Sequence, residues 1–215
     1  MIMLIFLVRH AESTWNSQKK IQGQKDPPLS TYGKREAKLV GKRFKELSFD
    51  GVCTSPQKRA LETARAIVGK KADISIDEDL REICLGKWEG KTLAQIRKQY
   101  GDKFDRWAVR PDRIPIPGGE DFKAFVRRVK KALRKIEKGN PDGNVLVVGH
   151  GGVISTYVTV VLNIKAVDVW CVTVKNASVT IVEVKDGLRR LVTFNDISHL
   201  MHIKEIADKD VTHVD

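Results

Sequence analysis

The sequence predicts a three-layer α/β fold, with a doubly wound and mostly parallel sheet that carries helices on both faces. Two segments, 2–8 and 145–148, are unbroken apolar runs, as is typical of parallel strands buried on both faces. Segments with helical patterns lie between the strand-like segments. Because alternating strands and helices form right-handed crossovers, we expect the strands to lie side by side in one sheet.

The first half of the chain supplies three of the strands. After the strand at 2–8, Ser30 has the position of an N-cap for a helix with a series of inward-facing residues: Ala37, Val40, Phe44 and Leu47. A second strand is predicted at 51–54. A helix follows from about Pro56, because proline suits a first helical turn. A short strand at 74–76 comes next.

Two helices are predicted between the third strand and the apolar run at 145–148. Thr92 and Gln95 have the spacing of a capping box, which opens a helix. A long amphipathic helix is predicted from about Gly119, and Gly139 and Pro141 end it.

The last third of the chain completes the sheet. The strand at 145–148 leads into a helix at 153–162. Two further strands, 178–184 and 188–194, flank an Asp-Gly turn, which is a strong hairpin signal. We expect this hairpin to lie at one edge of the sheet.

Length and composition indicate a globular protein. The 215 residues, 41% hydrophobic and 31% charged, predict a single domain over 1–215 whose last dozen residues are frayed. The apolar run at 1–8 is too short to span a bilayer, and no cleavage site follows it, so no membrane partner is expected. Cys53, Cys84 and Cys171 match no zinc or redox pattern, which favours a cytoplasmic location.

The formal net charge of +12 leaves several partners open, including nucleic acids, anionic membranes and small phosphorylated substrates. Many of the basic residues alternate with an apolar stripe along 123–138. We interpret them as a solvated helix face and predict no specific nucleic-acid partner. These residues are Lys123, Arg127, Lys130, Lys131, Arg134 and Lys135.

Polar residues follow the predicted strands at the points where ligands bind in doubly wound sheets. Arg9 and His10 follow the first strand, Arg59 lies in the first turn after the second, and His150 follows the strand at 145–148. Glu82 follows the strand at 74–76. Arginine forks match phosphate oxygens, a histidine can act as a nucleophile, and a glutamate can protonate a leaving oxygen. The pattern predicts chemistry through a phosphohistidine.

Motifs along nearly the whole chain resemble those of the histidine phosphatase superfamily, also called phosphoglycerate-mutase-like. The hallmark of that family is an Arg-His-Gly or Arg-His-Ala segment after the first strand. The matching segments here are Leu7-Val8-Arg9-His10-Ala11-Glu12, Thr14-Trp15-Asn16, Gln22-Gly23, Leu29-Ser30, Gly33, Ser55-Pro56-Gln57-Lys58-Arg59-Ala60, Thr63-Ala64, Glu82, Gly86-Lys87-Trp88-Glu89-Gly90 and His150-Gly151-Gly152.

The resemblance implies a phosphoglycerate-mutase-like fold and roles for individual residues. His10 is the implied nucleophile, and Glu82 the implied general acid and base. The residues implied to bind the phosphoryl group are Arg9, Asn16, Gly23, Arg59, His150 and Gly151. The implied activity is metal-independent hydrolysis of a small phosphorylated metabolite without a cofactor, by a monomer or homodimer.

The reaction and the substrate remain open at this stage. A phosphoglycerate mutase would use the same intermediate, but the run 83–90 resembles phosphatases. Together with 176–178 and 195–200 it is similar to the branch of broad-specificity and alpha-ribazole phosphatases. Some phosphoserine phosphatases place a histidine soon after the acid, and none follows Glu82 here, which argues mildly against phosphoserine.

Two further alternatives are open. The chain could be a non-enzymatic module that binds nucleic acid or protein through its basic face, although the set of strand-end residues argues against this. Trp88 could either line the mouth of the pocket or anchor its loop to the core.

Overall fold

A six-stranded sheet forms the centre of the fold in the computed structural model, which describes residues 2–140 and 142–201. In order across the sheet, the strands are β3 (Ser75–Ile76), β2 (Gly51–Thr54), β4 (Gly143–Gly149), β1 (Ile2–Arg9), β5 (Val179–Lys185) and β6 (Leu188–Asp196). The first four run parallel, whereas β5 and β6 form an antiparallel hairpin at the edge. The predicted fold class is confirmed. The predicted frayed tail lies outside the described residues.

Seven α-helices connect these strands in the described part of the chain: α1 (Thr14–Ser17), α2 (Thr31–Arg43), α3 (Lys58–Val68), α4 (Leu93–Tyr100), α5 (Lys103–Val109), α6 (Phe122–Gly139) and α7 (Gly151–Val161). The sequence pattern missed α1 and α5, which are too short to show a clear period. The expected start of α3 at Pro56 was two residues early, because Gln57 is still extended. Helix α6 was expected to start near Gly119, but it starts at Phe122. Asp121 is its N-cap residue, because the Asp121 side chain accepts a hydrogen bond from the Ala124 N–H.

Alternate residues of the central strands face the two helical layers. On β1, Met3, Ile5 and Leu7 belong to the apolar cluster that includes α6 and α7, and Phe6 and Val8 belong to the cluster that includes α2 and α3. Burying a large apolar side chain contributes about 1.5–3 kcal/mol. The strand interiors therefore hold the core, and polar chemistry is left to the strand ends.

The basic face of α6 is solvated, as predicted. The side chains of Lys123, Arg127 and Arg134 are exposed, whereas Phe125 and Val129 on the opposite face are fully buried. No helix in 2–140 or 142–201 has both the length and the apolar composition needed to cross a bilayer. Most of the charge on α6 therefore faces water.

A buried polar network joins α6, α7 and β6. Glu137 accepts a hydrogen bond of 2.6 Å from the Tyr157 hydroxyl and pairs with Arg189 through two bonds of 2.8 and 2.5 Å. Burial and the bond to Glu137 raise the pKa of Tyr157, so the hydroxyl stays protonated and donates. The carboxylate thus ties the edge hairpin to the helical layer beside it.

We expect Glu137→Ala to lower the free energy of unfolding by about 3 kcal/mol, because it leaves a partly buried arginine and a buried hydroxyl without their acceptor. Urea denaturation measures this loss. Glu183→Ala is the control, because Glu183 pairs with the more exposed Arg190 and its loss costs less than about 1 kcal/mol. Equal losses in the two variants would contradict the role assigned to Glu137.

Candidate active site

A pocket of about 440 Å³ opens at the carboxyl ends of the parallel strands. Most of the predicted site residues line it: Arg9, His10, Asn16, Gly23, Arg59, Glu82 and Gly151. His150 is fully buried beside them, and its ring centroid is 5.3 Å from that of His10. A larger cleft of about 1000 Å³ lies among α2, β2, α3 and α6, but it contains none of these residues. The smaller pocket is therefore the candidate active site.

His10 follows β1 and is held in one orientation. Its Nδ1 lies 2.8 Å from the carbonyl oxygen of Ala11, and its Nε2 accepts a hydrogen bond of 3.2 Å from the Nε of Arg59. An imidazole that accepts at Nε2 carries its proton on Nδ1, which then donates to the carbonyl. Burial first, and then the charges of Arg59 and Arg9, hold the pKa of His10 well below its ordinary value of 6.5. The ring is therefore neutral, with its lone pair on Nε2.

Arg59, in the first turn of α3, is buried and bonds to main-chain carbonyls. Its Nη1 donates to the carbonyl of Lys25 at 2.7 Å and its Nη2 to that of Gly23 at 2.9 Å. Burial lowers the pKa of Arg59 to about 10, so it remains charged at neutral pH. Gly23 adopts a positive φ of 53° within the loop that these bonds hold.

Arg9 is anchored in a similar way at the end of β1. Its Nη1 donates to the carbonyl of Val174 at 2.5 Å. Its Nε is buried and has no hydrogen-bond partner among the described residues. Gly151 lies directly beside it, since a Cβ atom there would be 3.7 Å from the Nε of Arg9.

His150 is the N-cap residue of α7, and one nitrogen of its ring contacts the side chain of Ser55. The Nε2 of His150 lies 2.8 Å from the Ser55 hydroxyl, which also accepts a bond of 3.4 Å from the Gln57 N–H. In the tautomer in which the hydroxyl donates to Nε2, the ring proton lies on Nδ1. Burial, followed by the nearby Arg59 and His10, lowers the pKa of His150 well below 6.5. Its Nδ1 is buried and unpaired among the described residues.

Glu82 reaches the rim of the same pocket from an irregular segment. Its carboxylate accepts two main-chain hydrogen bonds, from the N–H of Ile83 at 2.9 Å and from the N–H of Gly152 at 3.0 Å. The second bond places the carboxyl group at the N-terminus of α7, beside the pocket.

Asn16 presents its amide to the pocket in a fixed orientation. Its Oδ1 accepts bonds from the N–H of Ser13 at 3.0 Å and from the Nδ2 of Asn176 at 3.3 Å. The oxygen is occupied by these donors, so the NH₂ group is the part of the side chain that can donate to a ligand.

Sequence reasoning missed one side of the pocket, an apolar wall that faces the polar floor. Its residues come from several separate segments: Ile21, Leu85, Phe104, Trp107, Trp170 and Val172. Trp88 is fully buried, packs on Phe104 and Trp107, and does not line the pocket. Of the two interpretations of Trp88, the structure supports the core anchor. The aromatic residues on α5 gave no signal because that helix was not predicted.

The family model of the histidine phosphatase superfamily (branch 1) matches residues 5–197. Phosphoserine phosphatase 1 of Hydrogenobacter thermophilus is 31% identical over 201 residues, which cover 93% of this chain and 95% of that protein. The adenosylcobalamin/alpha-ribazole phosphatase of Salmonella typhimurium is 27% identical, covering 90% of this chain and 96% of the relative. The structure of Bacillus stearothermophilus YhfR superposes with a TM-score of 0.86 at 34% identity and covers 92% of this chain and 99% of its own.

The two neutral histidines predict how stability depends on pH. Because the pKa values of His10 and His150 are lowered in the folded protein, only the unfolded chain takes up their protons as the pH falls below about 6.5. Each histidine then lowers the unfolding free energy by up to about 1.4 kcal/mol per pH unit. Urea denaturation at pH 7.5, 6.0 and 5.0 measures this slope. We expect a shallower slope in the double variant His10→Asn/His150→Asn, and an unchanged slope would contradict the assignment.

Proposed function

The chain belongs to the histidine phosphatase superfamily (branch 1), and we propose that it hydrolyses small phosphate monoesters through a phosphohistidine formed at the Nε2 of His10. The observation that carries this proposal is the fixed tautomer of His10. Its proton is held on Nδ1 by the Ala11 carbonyl, and its Nε2 lone pair points to the Arg59 guanidinium. A neutral nucleophile therefore sits next to the cation that attracts a phosphoryl group.

The donors around His10 support binding of that group. The Nε of Arg9 is a buried donor that lacks a partner within the described structure, and Asn16 adds its amide NH₂. The Nδ1 of His150 is likewise buried and unpaired there, and it donates when it carries the ring proton. A bound phosphoryl group supplies acceptors for all three. Donors aimed at the oxygens of a transition state contribute about 3–4 kcal/mol each in comparable oxyanion sites. The two arginines also carry the positive charge that the scheme needs, so it requires no metal ion.

The reaction proceeds in two displacements. In the first, the Nε–H of Arg59 shifts its hydrogen bond from the Nε2 of His10 to an oxygen of the phosphoryl group, which frees the Nε2 lone pair. That lone pair forms a bond to phosphorus, the phosphorus–oxygen ester bond breaks, and the leaving oxygen takes a proton from the carboxyl group of Glu82. In the second, Glu82 takes a proton from water, the water oxygen bonds to phosphorus, and the phosphorus–nitrogen bond breaks with its electrons returning to Nε2. Glu82 lines the pocket from the rim, which suits both proton transfers.

The apolar wall favours a leaving group with an apolar or aromatic part. Glu82 is the one acidic side chain among the described residues that line the pocket, and Lys20 is a further cation among them. Besides Glu82, which serves as the proton donor, no described lining residue therefore supplies a carboxylate that could pair with the ammonium group of phosphoserine. The relatives include both a phosphoserine phosphatase and an alpha-ribazole phosphatase, and the wall favours a substrate of the less polar kind.

An enzymatic role agrees with the structure better than a non-enzymatic module that binds nucleic acid or protein. The exposed cations of α6 form a solvated helix face, which accounts for much of the basic charge without a nucleic-acid partner. This helix does not line the pocket. A cytoplasmic location, a monomeric or homodimeric state and a single domain over 1–215 stay predictions.

Phosphate release from nitrophenyl phosphate and a panel of metabolites, measured in EDTA, tests the proposed function. We expect metal-independent release, and we expect His10→Ala to lower it by a factor of about 10⁴ or more, because the nucleophile is lost. An acid-labile phosphoenzyme is expected in the wild type alone. Efficient conversion of 3-phosphoglycerate to 2-phosphoglycerate with little release would instead identify a mutase. Inactivity in both assays would contradict the proposal.

Glu82→Gln tests the proton donor. We expect kcat/KM for an alkyl phosphate to fall by about 10²–10⁴-fold, because an alkoxide must be protonated as it leaves. The value for nitrophenyl phosphate is expected to fall far less, since nitrophenolate needs little protonation. The measurement is kcat/KM for both substrates in the wild type and in Glu82→Gln. Equal losses on both substrates would show that Glu82 is not the acid.

A further inference from the structure

The segment that carries Glu82 has little regular structure of its own to hold it. A 3₁₀ turn ends at Leu80, and the chain then bends through 81–85 with neither strand nor helix. Proton transfer depends on placing the carboxyl group near the leaving oxygen, and a displacement of about 1 Å can cost 10²-fold in rate. Contacts from other elements must therefore fix this segment.

One side chain on α6 binds the main chain of this segment at three points. Arg128 donates from Nη1 to the carbonyls of Asp79 at 2.9 Å and Arg81 at 2.6 Å, and from Nη2 to the carbonyl of Glu82 at 3.0 Å. Its Nε and Nη2 also donate to Glu120, at 2.7 and 2.8 Å. These contacts use all five guanidinium N–H groups.

Glu120 extends the same support to the other side of Glu82. Its Oε2 accepts a bond of 3.2 Å from the N–H of Cys84, and its own N–H donates to the carbonyl of Cys84 at 2.9 Å. Gly119 permits this approach, because a Cβ atom there would lie 2.8 Å from the Cys84 carbonyl oxygen. The ion pair therefore holds main-chain groups before, at and after Glu82.

Two glutamines complete the contacts of the Glu82 main chain. The Oε1 of Gln57 accepts from the Glu82 N–H at 3.0 Å, and the Nε2 of Gln24 donates to its carbonyl at 3.1 Å. Gln57 also donates to the carbonyl of Gly23 at 3.2 Å, which Arg59 shares. The main chain of Glu82 and the loop that contains Gly23 are thus joined through one hydrogen-bonded network.

We propose that Arg128 and Glu120 are positioning residues that set the carboxyl group of Glu82 for proton transfer to the leaving oxygen. The proposal rests on the proposed function. Neither side chain lines the pocket, and both are largely buried, with 15% and 17% of their side-chain surface exposed. They act through the main chain of 79–84 and do not touch the substrate.

The test compares kcat/KM for butyl phosphate and nitrophenyl phosphate in Arg128→Lys. Lysine has three donors and no planar fork, so it cannot make all these bonds. We expect the butyl-to-nitrophenyl ratio to fall by about 10- to 100-fold, because only the butyl alkoxide needs a well-placed acid. The ratio does not depend on the fraction of folded enzyme. The matched control is Arg127→Lys, because the neighbouring Arg127 side chain is exposed and makes no such contacts with the described residues. Its ratio is expected to match the wild type.

Glu120→Gln provides a second variant, because it keeps the size of the side chain but removes the charge that pairs with Arg128. We expect its ratio to fall in the same direction. In a Glu82→Gln background, Arg128→Lys is expected to lower the ratio no further, since the acid is already absent. An equal loss on both substrates in Arg128→Lys and Glu120→Gln, or no loss, overturns the positioning role. If Glu82→Gln itself leaves the ratio unchanged, the acid assignment and this proposal both fail.

Discussion

The burial of the Arg59 guanidinium is the constraint around which the site is built. A cation with 1% of its surface exposed needs acceptors for its donors, and it finds them in two main-chain carbonyls of the 23–25 loop and in the Nε2 of His10. These bonds both hold the 23–25 loop in place and orient the ring of His10. The same charge disfavours protonation of His10 and His150. One buried cation therefore contributes to the charge of the site, to the geometry of the loop and to the neutral state of the nucleophile.

The parts of the molecule with a strong local pattern were predictable from the sequence. Apolar runs defined β1 and β4, and the Asp-Gly turn defined the hairpin of β5 and β6. Because parallel strands end at one edge of a sheet, Arg9, His10, Arg59 and His150 were expected to meet, and the structure places them together. Local sequence and topology were sufficient for this floor of the pocket.

The remaining features depend on contacts between distant segments. Ser55 contacts the ring of His150, 95 positions away, and Arg128 binds carbonyls 46 to 49 positions before it. A serine at a strand end or an arginine on an amphipathic helix gives no sign of such a partner in sequence. Burial, which a local sequence pattern does not show for His10, is the largest cause of its lowered pKa. Tertiary packing decides these properties.

The two sides of the pocket have separate structural origins. The polar floor comes from strand ends and the first turns of α3 and α7, whereas Phe104 and Trp107 of the apolar wall lie on α5, in the long excursion between β3 and β4. Substitutions on α5 can therefore alter the shape offered to a leaving group while the phosphoryl-binding residues keep their supports. This separation makes α5 the first segment to vary in a directed-evolution library aimed at new leaving groups.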